Sequence, residues 1–364
     1  MEPMLRERAN RSGRGARRLP RRLATALAAI VAIGAALAAA ACGGDDAPSK
    51  AQPTANQPTS VATTAVAASP TTAPAAVAKE TAEKLTVGGV EREAVVYVPA
   101  KLSAAKAPVV VMLVSPGDPI TPVRSRYGIL IGDEADRLGF IAVFPTGTPS
   151  GTAQGAGGPT TLTWNNGNVQ WGAQQPPDDI AFFKALLDVL VARYPVDADR
   201  ISFTGHNAGT VMSYRVACEL SDRIAAFAAV GVVRDNTTCQ SARAMSMLHM
   251  HGTAAAALYG GGVLGSGVVA PPVTDVIEYW RKLDGCTGEA AVTMLTAVTE
   301  QRRYGPCKGG TEVVLITVKD GAGGWWGNSG PAAQPGSGAG TGDPALKATP
   351  IVVEFLIKQT KAGR

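Results

Sequence analysis

Residues 200–210 read Arg200-Ile201-Ser202-Phe203-Thr204-Gly205-His206-Asn207-Ala208-Gly209-Thr210. Ile201 and Phe203 are β-branched and aromatic, as expected of a short strand, and the residues after Gly209 have the apolar spacing of a helix. A strand, a tight turn between glycines and a helix form the setting of a nucleophile elbow, Gly-x-Ser-x-Gly. Gly205 and Gly209 provide the glycine frame, which lets the two backbones approach closely. Asn207 stands where the motif has its serine.

The segments 204–209 and 214–219 read Thr-Gly-His-Asn-Ala-Gly and Tyr-Arg-Val-Ala-Cys-Glu. Apart from the missing serine, both resemble the secreted α/β-hydrolases that include poly(3-hydroxybutyrate) depolymerases and feruloyl or acetylxylan esterases. The resemblance covers roughly residues 85–358 and implies an α/β-hydrolase fold, a mostly parallel central sheet with helices on both faces. Apolar runs such as 108–114, which alternate with helical segments, agree with buried parallel strands.

The same resemblance implies where the catalytic residues would lie. The family carries its triad acid two residues after His-Gly-Thr, and this chain has Ala255 there. The family's general base lies in a Gly-Gly-Gly-His-Thr-Trp loop, and the register set by Trp326 places Gly324 at that position. The serine, aspartate and histidine positions are therefore Asn207, Ala255 and Gly324. A serine hydrolase needs a hydroxyl, a base and an acid, so we expect the chain to be catalytically inactive and retained for binding.

Two alternatives stay open. The first is an active carboxylic ester hydrolase with relocated catalytic residues, although no other serine has glycines two residues before and two after it. The histidines are His206, His249 and His251, and the last two belong to a predicted core strand or its end, so almost none is left to act as a base. The second alternative is a gene product without a selected function. Asn207 keeps the turn possible, because Asn tolerates positive φ better than most residues.

Further candidate residues follow from the resemblance. The oxyanion hole would use the backbone N–H of Ala208 and the loop after strand 108–114, where this chain has Ser115 and Pro116. Proline has no N–H, so the hole would be one donor short. Trp164 is expected either to pin its loop in the core or to stack on a ligand. The candidate pocket residues are His206, Trp164 and Trp326.

Composition and charge exclude one class of partner. The chain has 34 basic and 29 acidic residues, of which eight arginines and two glutamates lie in residues 1–41, leaving 26 basic and 27 acidic residues. A nearly neutral domain has no electrostatic reason to bind nucleic acid. With 364 residues, 46% of them hydrophobic, the chain can bury one large core, so we expect one globular domain.

The arginines of residues 1–41 precede an apolar run that ends in Ala39-Ala40-Ala41, directly before Cys42. This order predicts a secretory signal peptide of residues 1–41. Cys42 resembles the lipidated cysteine of a bacterial lipoprotein, which would anchor the chain at the outer face of the cell membrane; plain secretion and twin-arginine export stay open. Residues 42–84, rich in Ala, Pro, Thr and Ser, predict a disordered tether before the hydrolase-like domain of residues 85–364.

The other cysteines are Cys218, Cys239, Cys286 and Cys307. An even number in an exported chain predicts disulfides, and three pairings are possible. The family resemblance and short loop closure favour Cys218–Cys239 and Cys286–Cys307. Without a Cys-x-x-Cys pair and with few histidines, we expect neither a metal nor a cofactor. The expected partners are the membrane, through lipid on Cys42, and a small-molecule, polyester or glycan ligand.

Overall fold

The computed structural model describes residues 77–113, 131–149, 162–167, 175–234, 239–255, 259–263, 269–327 and 341–361. The predicted signal peptide, Cys42, nearly all of the predicted tether, Ser115 and Pro116 lie outside these residues. None of the described helices is long and apolar enough to cross a bilayer.

The described elements are fourteen strands and five α-helices. The strands are β1 (Lys79–Val87), β2 (Val90–Val98), β3 (Ala107–Leu113), β4 (Ile141–Pro145), β5 (Thr148–Pro149), β6 (Leu162–Thr163), β7 (Val196–His206), β8 (Ala226–Val230), β9 (Ser246–Gly252), β10 (Gly262–Val263), β11 (Val269–Ala270), β12 (Ala291–Met294), β13 (Thr299–Tyr304) and β14 (Val313–Val318). The helices are α1 (Ile131–Leu138), α2 (Asp179–Arg193), α3 (Ala208–Glu219), α4 (Val273–Leu283) and α5 (Ala348–Leu356).

Ten of the strands form one sheet in the order β1-β2-β4-β3-β7-β8-β9-β14-β13-β12. Its six central strands, β4 to β14 in that order, are parallel, and the pairs at both edges are antiparallel. Every residue of β3 and β8 is buried. Strands covered on both faces are apolar throughout, which explains the unbroken apolar runs. The predicted α/β-hydrolase fold is confirmed.

Two apolar cores lie on opposite faces of this sheet. On one face α2, α3 and α4 contribute Phe182, Met212 and Trp280. On the other face α1 and α5 contribute Ala135 and Val352. Successive side chains of a strand point to opposite faces, so the parallel strands supply apolar residues to both cores, except that β7 contributes only to the first. The sheet is therefore the middle layer of three.

The domain begins earlier than predicted. β1 starts at Lys79 rather than residue 85 and pairs with β2 along its whole length. Glu83 on β1 is buried, and it accepts hydrogen bonds from the Tyr194 hydroxyl at 2.5 Å and from Arg193 at 2.7 Å. These bonds fasten β1 to the end of α2. Six of the nine residues of β1 therefore lie before the domain start predicted at residue 85, because the charged residues of β1 concealed its pairing.

Both predicted disulfides are present. Cys218 and Cys239 join the end of α3 to the segment before β9. Cys286 and Cys307 join the segment after α4 to the turn before β14. Each closes a loop between residues 21 apart in sequence, so both reinforce local connections on the side of the sheet that holds α3 and α4.

Two strands lie between residues 284 and 311, where none is predicted from the sequence. β13 pairs with β14, and β12 pairs with β13, both antiparallel. β13 reads Thr-Glu-Gln-Arg-Arg-Tyr, so it lacks the apolar run by which the central strands were recognised. β12 is the sheet edge, and all four of its residues are exposed. The extension widens the sheet face beside α4.

Candidate active site

Asn207 forms the elbow. It joins the end of β7 to the start of α3 with φ 50° and ψ −116°, and it is one of two non-glycine residues with positive φ in the described chain. It is exposed, and its carbonyl oxygen accepts hydrogen bonds from the N–H groups of Thr210 (2.9 Å) and Val211 (3.3 Å). The sharp strand-to-helix turn is therefore kept without its serine.

Backbone packing requires the two glycines of the elbow. A Cβ added at Gly209 would lie 2.0 Å from the carbonyl oxygen of Leu113 on β3, and one added at Gly205 would lie 2.3 Å from the carbonyl oxygen of Gly209. The Thr210 hydroxyl lies 2.7 Å from the Gly205 carbonyl oxygen and 2.9 Å from that of Val230 on β8. The turn is thus held by β3 on one side and β8 on the other.

The loops that carry Ala255 and Gly324 lie close together at the end of β8. Ala255 is buried, and its Cβ lies 3.3 Å from the place that a Cβ would take on Gly323. The backbone nitrogen of Gly324 lies 3.2 Å from a Cβ added at Gly231, the residue that follows β8. Because β8 is next to β7 in the sheet, these two loops reach the same edge as Asn207. The structure brings the loops together and places neither a carboxylate nor an imidazole at these two positions.

The three predicted pocket residues are core residues instead. His206 is 1% exposed, and its ring centroid lies 6.5 Å from that of Trp325, edge to face. Trp164 and Trp326 are fully buried. The indole N–H of Trp326 donates to the Thr341 carbonyl oxygen at 2.9 Å. Burial of a whole indole ring gains more apolar contact than a place on a loop surface, so the expectation that these side chains line a pocket is wrong.

Trp164 pins its loop to the core, which was one of its two expected roles. Its ring lies 5.9 Å from the guanidinium group of Arg92. Arg92 forms an ion pair with Asp179 at 2.7 Å, and both side chains are almost fully buried. Asp179 also accepts the N–H of Asn165 at 2.6 Å. A buried charge needs a partner and further hydrogen bonds, and this set supplies both at the start of α2.

Only one part of the predicted oxyanion hole lies in the described chain. Ala208 is the first residue of α3, so its N–H belongs to the first helical turn, whose amides lack intrahelical partners. Ser115 and Pro116 lie outside the described residues. The missing second donor therefore stays a prediction.

A buried chain of three polar rings is not predicted from the sequence. The Tyr214 hydroxyl oxygen on α3 lies 2.9 Å from Nδ1 of His249, and Nε2 of His249 lies 3.0 Å from Nδ1 of His251. All three side chains are fully buried. Two histidines separated by one residue on a strand point to the same face, so the His-x-His pattern on β9 was the available signal.

Burial determines the charge of these histidines. It lowers the pKa of His251 to about 4, and together with the neighbouring His251 it lowers the pKa of His249 well below its ordinary value. Both imidazoles are therefore neutral at neutral pH. A ring that resists protonation and is closed to solvent is a poor general base. The chain of rings connects the elbow helix to β9 and does not replace the missing histidine at Gly324.

No known family profile matches the chain. A bifunctional acetylxylan esterase/xylanase from Neocallimastix patriciarum is 25% identical over 119 residues, which are 33% of this chain and 15% of that protein. The chain thus matches a small part of the length of this curated relative.

Solved structures of similar fold include three hydrolases. An acetyl xylan esterase from Aspergillus awamori is 14% identical, with 66% of this chain and 94% of that chain covered and a TM-score of 0.43. A thermostable esterase is 14% identical, with 77% and 63% covered and a TM-score of 0.46. An S-formylglutathione hydrolase from Agrobacterium tumefaciens is 15% identical, with 67% and 87% covered and a TM-score of 0.41.

The strand order, the parallel centre and the elbow after β7 are those of the α/β-hydrolase fold. The proteins named above, to which this chain is similar, are esterases and a related hydrolase.

We expect Gly209→Ala to destabilise the fold by about 3 kcal/mol or more, because the added methyl group would collide with the backbone of β3. Gly288→Ala is the matched control, since nothing lies within 4 Å of a Cβ there and its φ is not positive. Urea unfolding followed by tryptophan fluorescence measures both. Equal stabilities for the two variants would contradict the packing described here.

We also expect the free energy of unfolding to fall at acid pH because of the buried histidines. In the unfolded chain they titrate near pH 6.5, whereas the folded pKa of His251 is about 4. The unfolded chain therefore binds protons first, so their contribution to stability is complete above pH 6.5 and is lost as the pH falls towards 4.

A His251→Gln variant isolates this effect. Between pH 6.5 and 4.5 we expect the unmutated protein to lose about 2 kcal/mol more stability than the variant. Burial also raises the pKa of Asp284 to about 7. Both proteins contain Asp284, so its contribution drops out when their free energies of unfolding are subtracted. Parallel curves of unfolding free energy against pH would refute the prediction.

Proposed function

We propose that this chain is an exported, esterase-like α/β-hydrolase homologue that does not hydrolyse esters and is retained to bind a ligand or an envelope partner. One observation carries the proposal: the elbow keeps its conformation at Asn207, while the positions of acid and base hold Ala255 and Gly324.

The chemistry of Asn207 supports this proposal. A carboxamide nitrogen shares its lone pair with the carbonyl group, so it is a poor nucleophile even when exposed. All three histidines of the sequence are buried, with His206 against Trp325 and the other two in the chain that begins at Tyr214. No imidazole is therefore exposed to take a proton from a group at the elbow.

Binding without reaction is compatible with what remains. The exposed carboxamide of Asn207 both donates and accepts hydrogen bonds, and the first turn of α3 adds backbone N–H groups. The similarity to esterases supports a small-molecule, polyester or glycan fragment as the ligand class.

We expect the unmutated protein and its Asn207→Ser variant not to hydrolyse nitrophenyl acetate or nitrophenyl butyrate. Members of a catalytic triad act as a unit, so restoring one of them gains little. The triple variant Asn207→Ser, Ala255→Asp, Gly324→His tests whether the site can be rebuilt. Its turnover is expected to stay about a hundredfold below that of a complete site if Pro116 removes one oxyanion donor.

Each protein is first checked for cooperative unfolding, and a serine-directed phosphonate serves as the control reagent. Enzyme-level turnover by the unmutated chain that the phosphonate abolishes would overturn the proposal. It would favour the alternative of an active carboxylic ester hydrolase with catalytic residues elsewhere.

The membrane anchor is part of the same proposal and rests on residues 1–42. We expect radioactive palmitate fed to producing bacteria to label the chain and the label to disappear in Cys42→Ser, because the cysteine thiol is the acceptor for lipid. A labelled Cys42→Ser protein would show that the lipid is attached at another residue. An unlabelled but exported unmutated chain would show that the protein is secreted without a lipid.

A further inference from the structure

A cavity of about 570 Å³ lies between α4 and the strands β13 and β14. In the sheet, β8 and β9 separate these strands from β7, which carries the elbow. Asn207, Ala255 and Gly324 do not line the cavity. Its volume lies within the range of about 300–1,000 Å³ that is typical of small-molecule sites. The cavity is therefore large enough for a ligand and is separate from the elbow.

Four of the five charged side chains of the cavity wall form ion pairs with each other. Arg281 donates to Glu278 at 2.8 Å, and its guanidinium group lies 4.2 Å from the ring centre of Tyr304. Arg302 donates to Glu300 at 2.5 Å. With the carboxylate of Asp275, two guanidinium groups stand beside three carboxylates in the lining. The wall carries little net charge, which disfavours a strongly anionic or strongly cationic ligand.

The rest of the lining alternates hydroxyl groups and apolar surface. The Tyr259 hydroxyl lies 3.2 Å from that of Thr317, and Thr274 of α4 adds another hydroxyl to the lining. Leu315 of the lining is buried and apolar. The wall thus offers closely spaced donors and acceptors beside aromatic rings.

Polyhydroxylated rings match this chemistry. Adjacent hydroxyl groups of a sugar can accept two N–H bonds from one guanidinium fork and donate to carboxylates. The C–H faces of the ring are apolar and pack against aromatic and aliphatic side chains. Because Arg281 already contacts Glu278 and the Tyr304 ring, less of its side-chain entropy is lost on binding.

We propose that this cavity binds a short, neutral oligosaccharide. The inference deepens the proposed function and rests on it, since a homologue without ester chemistry would be retained for binding. It adds a binding site on the face beside α4 to the one proposed at the elbow.

The test is isothermal titration of the full-length chain with two neutral trisaccharides, cellotriose and xylotriose. Trigalacturonic acid and fully deacetylated chitotriose are the anionic and cationic comparisons. We expect saturable binding of at least one neutral sugar at millimolar concentration or below, and weaker binding of both charged sugars.

Two variants locate the site. Glu300→Gln and Asp275→Asn are each expected to weaken binding about tenfold, because each removes a charge-assisted acceptor from the wall. Glu91→Gln is the matched control: Glu91 pairs with Lys84 on the exposed surface of β1 and β2, far from the cavity. Its affinity is expected to equal that of the unmutated chain.

The inference is overturned by three results: no heat of binding with either neutral sugar, tighter binding of a charged sugar, or equal weakening in all three variants. The nitrophenyl ester assay on the same preparations separates the two proposals. Hydrolysis together with cavity-dependent sugar binding would overturn only the proposed lack of activity. Absence of both would overturn only the sugar site.

Discussion

The first turn of α3 touches β3 backbone to backbone, and the arrangement of the central strands depends on that contact. A single methyl group on Gly209 would come within 2.0 Å of the carbonyl oxygen of Leu113. The helix can lie this close only without a side chain, and Gly205 permits the chain to fold back over the same point. β3, β7 and α3 are thereby held in one geometry, and the neighbouring strands extend the sheet from them.

The positions of the missing reacting groups differ from the residues that hold the scaffold together. Asn207 is exposed, whereas Ala255 and Gly324 are buried and have no polar side chain. The polar groups that support the scaffold are buried and paired, as in the ion pair of Arg92 and Asp179 and in the rings that follow Tyr214. The fold is therefore formed with no serine, aspartate or histidine at these three positions.

The fold was predictable where local pattern and tertiary packing agree. The apolar parallel strands and the elbow could be read because each has a residue signature of its own, whereas the disulfide pairing rested on the family resemblance and on short loop closure. The antiparallel strand β13 could not, since its polar residues line a cavity beside α4 rather than a closed core. The same limit applied to Trp164, which lies beside Phe183 and Arg92, residues that are not its neighbours in sequence.

The elbow also shows what a sequence motif can establish. The spacing of Gly205 and Gly209 is imposed by backbone contact, so it reports architecture and persists whether or not a reaction takes place. The side chain between them is exposed, so its chemistry can change as long as the residue tolerates the positive φ of the turn. In proteins of this shape, glycine spacing is therefore evidence of the fold, and an activity should be transferred only when the three reacting side chains are themselves present.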